Sequence, residues 1–66
     1  MPKIKELREM EGLSISKLSQ KAGVNATSLC QVERGRQVAS AATRARLAAF
    51  FGGTEANFFD ENGFAV

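Results

Sequence analysis

The chain has 66 residues, nine lysines and arginines against seven acids, one cysteine, and no histidine, tryptophan or tyrosine. That length suits one small core and a single domain spanning 1–66, and a lone cysteine excludes an internal disulfide framework, so a reducing cytoplasm is the expected compartment. No apolar run is long enough to cross a bilayer, no signal-peptide core is visible, and the lack of a phosphate loop, metal-ligand cluster or activated nucleophile argues against an enzyme and against any metal or cofactor.

Caps, glycines and apolar spacing predict five short helices and no strand. The first helix runs from about Pro2, suited to a first helical position, to Glu11, with Ile4, Leu7 and Met10 as its inward stripe and Gly12 as its stop. Ser14 caps a second helix that ends at Ala22 before Gly23, and Asn25 caps a third that ends near Arg34 with Gly35 just beyond it. A loop from Gly35 to Ala39 leads to a fourth helix, capped by Ser40, turning Leu47, Ala48 and Phe51 inward and stopping at Gly52-Gly53. Thr54 caps a last turn that brings Phe58 and Phe59 onto the core. The closing DENGFAV carries an Asn-Gly turn signal and reads as an acidic tail, about 60–66, with a lone apolar tip.

The most specific segment is LSQKAGVNATSLCQVERG, Leu18 to Gly35, inside a helix-turn-helix pattern of about 15–35. Leu18 and Ala22 lie four apart on one face, Leu29 and Val32 three apart on the next, and Val24 plugs the angle between the helices. In this motif the second helix lies in the DNA major groove while the first crosses the backbone. The charge agrees. Residues 13–53 hold Lys17, Lys21, Arg34, Arg36, Arg44 and Arg46 against Glu33 alone, whereas residues 54–66 hold only Glu55, Asp60 and Glu61. A basic middle beside an acidic end suits a surface that faces phosphates.

Opposite Leu29 and Val32, the third helix presents Ala26, Thr27 and Gln31. A glutamine amide can contact an adenine edge bidentately, a threonine hydroxyl can donate to or accept from a base, and a methyl of Thr27 or Ala26 can touch a thymine methyl. Ser28 lies near the helix N-terminus, where free N–H groups and the helix dipole favour a phosphate. Arg34, Arg36 and Gln37 flank the following loop and are candidates for the DNA backbone, with Lys17 a further one; such contacts set affinity and register and carry little sequence information.

These residues resemble the Cro/cI-type, or Xre-type, helix-turn-helix family of phage and bacterial regulators, from IKELREMEGLS through KLSQKAGVNATSLCQVERGR to LAAFFGGTEANFF. The resemblance implies a compact, all-α, five-helix lambda-repressor-like domain. It further implies a transcriptional regulator, a repressor or Cro-like switch, that binds operator double-stranded DNA as a homodimer in the bacterial or phage-infected cytoplasm, associated with the nucleoid. By position it places Ala26, Thr27 and Gln31 at bases, Arg34 and Arg36 at bases or phosphates, and Arg8 and Glu33 in an internal ion pair between the first and third helices.

The chain departs from that pattern at four places. Ile15 stands where a glutamine commonly begins the second helix, Ser19 where a small alanine is usual, Val38-Ala39 where a proline precedes the fourth helix, and Arg44 where an apolar residue is usual. Ser19 is tolerable if its hydroxyl bonds back to its own helix, and Arg44 calls for a rotated helix or an outward-reaching side chain. Cys30 lies beside the reading face. Phe58, Phe59 and Phe64 exceed what so small a core needs, which points to a dimer surface made by the last helix and the tail. An alternative from another class keeps the fold but makes it an antitoxin-type module that neutralises a protein partner, with DNA binding secondary.

Overall fold

A computed structural model describes all 66 residues. Three of its helices begin where a polar side chain closes back on the first turn. Ser14 Oγ, Asn25 Oδ1 and Ser40 Oγ accept hydrogen bonds from the N–H groups of Lys17, Ser28 and Thr43 at 3.1, 3.0 and 3.2 Å. Each satisfies one of the donors a helix start leaves without an intrahelical partner. These caps open α2 (Ile15–Ala22), α3 (Ala26–Glu33) and α4 (Ala41–Phe51). Ahead of them α1 (Lys3–Met10) starts behind an extended Pro2. The single turn α5 (Glu55–Phe58) is held at its entry by the Thr54 N–H donating to Asn57 Oδ1 at 2.8 Å.

The first four helices each send one wholly enclosed side chain to a common core: Ile4, Leu18, Leu29 and Leu47. Burying each contributes about 1.5–3 kcal/mol relative to exposure. Val32, Ala39, Ala48, Phe58 and Phe59 complete the core, and Leu7, Leu13, Ile15, Val24, Phe50 and Phe51 pack around it half-buried. Ile15 therefore serves as a packing residue. Phe51 touches Phe50 edge-on at 5.1 Å between ring centroids and lies 5.9 Å from Phe58, so an aromatic cluster closes the α4–α5 end.

The inward stripe of α1 differs from its sequence pattern. Met10 is 80% exposed. At 3.6 residues per turn Met10 lies about 120° around the helix from Ile4, while Arg8 lies only about 40° away. Arg8, not Met10, faces the core side, and Met10, the last residue of α1, lies in solvent.

The tail is not a free acidic extension. Asp60 Oδ1 accepts from the N–H groups of Asn62 and Phe64 at 2.9 and 3.0 Å, closing a turn that passes through Gly63 at φ +92°. Beyond it Phe59 and Ala65 form one antiparallel bridge, the Asp60 N–H donates to the Phe64 carbonyl, and the Val66 N–H to the Phe58 carbonyl. The Lys3 N–H then donates to the Val66 carbonyl at 2.7 Å, so the tail returns to the start of α1. This bridge satisfies backbone groups that an unpaired apolar tip would leave open, and it encloses Phe58 and Phe59 within the chain's own core. Of the three phenylalanines expected to face a second copy, only Phe64 stays at the surface, 39% exposed.

Candidate nucleic-acid interface

α2 and α3 meet at Gly23, which takes φ +75° and ψ +35°. This left-handed conformation costs a residue with a β-carbon roughly 1–2 kcal/mol, which explains glycine at the turn. The N–H groups of Gly23 and Val24 both donate to the Ser19 carbonyl, at 2.9 and 3.0 Å, closing the end of α2, while Val24 tucks half-buried against the core. Arg46 Nη1 reaches across from α4 to the Gly23 carbonyl at 3.1 Å and fixes the turn from behind. Ser19 bonds back within its own helix, its hydroxyl donating to the Ser16 carbonyl at 2.9 Å.

With Leu29 and Val32 enclosed, the orientation of α3 is set. At about 100° per residue, Thr27, Gln31 and the C-terminal Arg34 fall together on the side away from Leu29, whereas Ala26 lies nearer the flank. Thr27 and Arg34 are exposed and Gln31 is half-buried. Ala26 and Ser28 are also half-buried, as is Cys30, a free thiol on the flank of the helix. Asn25 occupies the Ser28 N–H, and the N–H groups of Ala26 and Thr27 have no partner within the chain. Those two donors open at the positive end of the helix dipole.

Unpaired cations follow α3 at its C-terminal end and stand on α2. The two ion pairs of the structure are Arg8–Glu33 and Arg44–Glu55, which leaves Lys17 on α2 and Arg34 and Arg36 after α3 unpaired. Lys17, Arg34, Arg36 and Gln37 are all exposed. The loop bearing Arg36 and Gln37 leaves α3 through the Gly35 N–H to the Val32 carbonyl and the Arg36 N–H to the Gln31 carbonyl, at 3.1 and 3.0 Å. It therefore begins as a continuation of the α3 surface.

Beneath this face Glu33 is 6% exposed. Arg8 Nε and Nη2 donate to its two carboxylate oxygens at 2.9 and 3.0 Å, and Arg8 Nη1 donates to the Leu13 carbonyl at 2.8 Å. One guanidinium thus joins α1, the α1–α2 connection and the C-terminal end of α3. The hydrogen bond to Glu33 raises the Arg8 pKa above its ordinary value, against the opposing effect of burial, and keeps the charge in place. The fork geometry gives direction as well as attraction, so the pair sets the angle of α3 on α1.

Arg44 has a role that its position in the sequence leaves open. Leu47 and Ala48 face inward as the α4 pattern predicts, so the helix is not rotated. The Arg44 guanidinium instead finds polar partners at the edge of the core: Nη1 donates to the Ala39 carbonyl at 2.6 Å and Nε to Glu55 Oε1 at 3.1 Å. The one signal in the sequence is a cation close to an acidic tail.

A family model described as a helix-turn-helix domain matches residues 3–58, from the first residue of α1 to the last of α5. No curated protein and no solved structure matches the chain. No helix is long and apolar enough to cross a membrane. The match covers most of the chain and all five helices, and with α3 held outward on α2 as described, the protein belongs to the helix-turn-helix domain family, a DNA-binding fold.

Proposed function

We propose that this chain is a sequence-specific regulator of transcription of the Cro/cI, or Xre, type, a repressor or Cro-like switch that reads the major groove with α3. It acts as a binding protein without catalysis or cofactor, on DNA in the cytoplasm. The observation that carries the reading is the division of α3. Leu29 and Val32 are enclosed on one side, and Thr27 and Gln31 stand on the other with unpaired cations at the flanks. Gln31 pairs with an adenine edge, Thr27 with a neighbouring base, and the Ala26 methyl group with a thymine methyl. Lys17, Ser28, Arg34, Arg36 and Gln37 hold phosphates on either side, with the open N–H groups of Ala26 and Thr27 adding to the anion site. A homodimer then sets two copies of α3 about 34 Å apart on a pseudo-palindrome.

Selection of bound sequences from a random duplex pool tests this. A recurrent site is expected, with binding that weakens steeply with salt. Gln31→Ala relaxes the sequence preference, and Arg36→Ala lowers affinity for all duplexes alike. Equal binding by the wild type and both variants discards the reading. A protein that captures no duplex but neutralises a toxin-like partner moves the assignment to an antitoxin.

A further inference from the structure

The loop between α3 and α4 carries two of the proposed phosphate contacts, Arg36 and Gln37, and contains no proline to restrict its backbone. Its first end is tied to the last turn of α3 by the Gly35 and Arg36 N–H groups. Its second end is tied differently. Ala39 is 2% exposed, and both of its backbone polar groups are taken by residues outside the loop. The Ala39 N–H donates to the Gly63 carbonyl at 2.9 Å, and the Ala39 carbonyl accepts from Arg44 Nη1 at 2.6 Å. Gly63 sits so close that a β-carbon there would lie 3.1 Å from Arg44 Nη1 and 3.3 Å from the Ala39 oxygen. Between the two tied ends, Arg36, Gln37 and Val38 are exposed.

The geometry points to Arg44 as a positioning residue for DNA contact: with the Gly63 turn it holds Ala39, and through Ala39 it presents Arg36 and Gln37 to the phosphates in an arrangement made before binding. This rests on the DNA-binding reading above. Its physical basis is entropic. A loop left free must be ordered when the duplex arrives, and that cost is subtracted from affinity, whereas a loop already held loses little more. Arg44 suits the task because its guanidinium reaches a carbonyl on one side and a carboxylate on the other with its direction fixed, which a lysine cannot do. The Gly63 turn lies beyond the residues that match the family model, so half of this clamp is supplied by the segment after α5.

The test is a double-mutant cycle on a duplex selected from a random pool, with folding followed by circular dichroism and the Ala39 amide by hydrogen exchange. Arg44→Met keeps most of the stem and removes every donor. It is expected to weaken binding about tenfold per folded molecule, since a hydrogen bond to a charged group is lost. The Ala39 amide exchanges faster in this variant. In an Arg36→Ala/Gln37→Ala background the same change costs less than about twofold, because little remains for the loop to present. Arg44→Lys keeps the charge on a single donor nitrogen without the fork and recovers part of the loss, and it serves as the readout if Arg44→Met does not fold. Ile4→Val, which loosens the core away from the loop, lowers the melting temperature without changing affinity per folded molecule.

An undiminished tenfold effect in the double-variant background overturns the proposal, since Arg44 would then meet the duplex itself. Unchanged affinity, or an Ala39 amide as protected as in the wild type, overturns it too. A wild type that binds no duplex removes the functional reading itself, before any variant is made.

Discussion

The Arg8–Glu33 pair offers the sharpest check on what holds α3 in place. Its side chains are 12% and 4% exposed, so it cannot be treated as a surface ion pair of negligible worth. Truncating Glu33 to alanine leaves a guanidinium between α1 and α3 with only the Leu13 carbonyl as partner. Removing one member of a buried pair typically costs about 3–5 kcal/mol. Here the lower end, roughly 3 kcal/mol, is appropriate, because Arg8 keeps that carbonyl bond and some access to water. A chain of this size has about 3–10 kcal/mol of stability in total, so Glu33→Ala removes from about three-tenths to all of it. In urea, with a slope of about 1 kcal/mol/M, the midpoint followed by circular dichroism falls by about 3 M. The joint replacement Arg8→Met/Glu33→Leu removes both charges and keeps the volume, and it is expected to lie within about 1 kcal/mol of the wild type. A loss below about 1 kcal/mol in Glu33→Ala refutes the reasoning. So does a double variant as unstable as the sum of the singles.

Three further outcomes follow from the same geometry. Gln31→Ala is expected to cost about 1–3 kcal/mol on the selected site and almost nothing on random duplex, as read by competition binding, while Arg36→Ala weakens both and reduces the salt slope by about one. Gly23→Ala, forced to φ +75° with no neighbour within 4 Å of the new methyl, costs about 1 kcal/mol in urea unfolding, and a neutral result argues that the turn relaxes out of the left-handed region. Met10→Lys changes stability by less than about 0.5 kcal/mol, because the side chain it replaces already lies in solvent; a loss like that of a core residue would place Met10 inside.

Part of this architecture needs only neighbours within one helical turn. The caps at Ser14, Asn25 and Ser40, the left-handed Gly23 and the enclosed Leu18, Leu29, Val32 and Leu47 follow from residue types three or four apart. A hydroxyl or amide that bonds three residues ahead, and an apolar side chain that recurs once per turn, need no information from elsewhere in the chain. The outward face of α3 follows too, since a helix that buries Leu29 and Val32 must turn Thr27 and Gln31 the other way.

What remained was decided by contacts between residues distant in sequence. Periodicity allowed Met10 a place in the α1 stripe, but only the contact of Arg8 with Glu33, 25 residues on, shows that Arg8 fills that side, and Met10 stays in solvent. Phe58 and Phe59 read both as core residues and as part of an apolar surplus, and the bridge from Phe59 to Ala65, which folds the tail over them, decides for the core. Arg44 looked misplaced on its helix because its partners, Ala39, Glu55 and Gly63, come from three separate segments. Short-range pattern records which side chains prefer to be buried or paired; which surfaces meet is chosen by the whole chain closing around one core, and that closure decided Met10, the tail and Arg44.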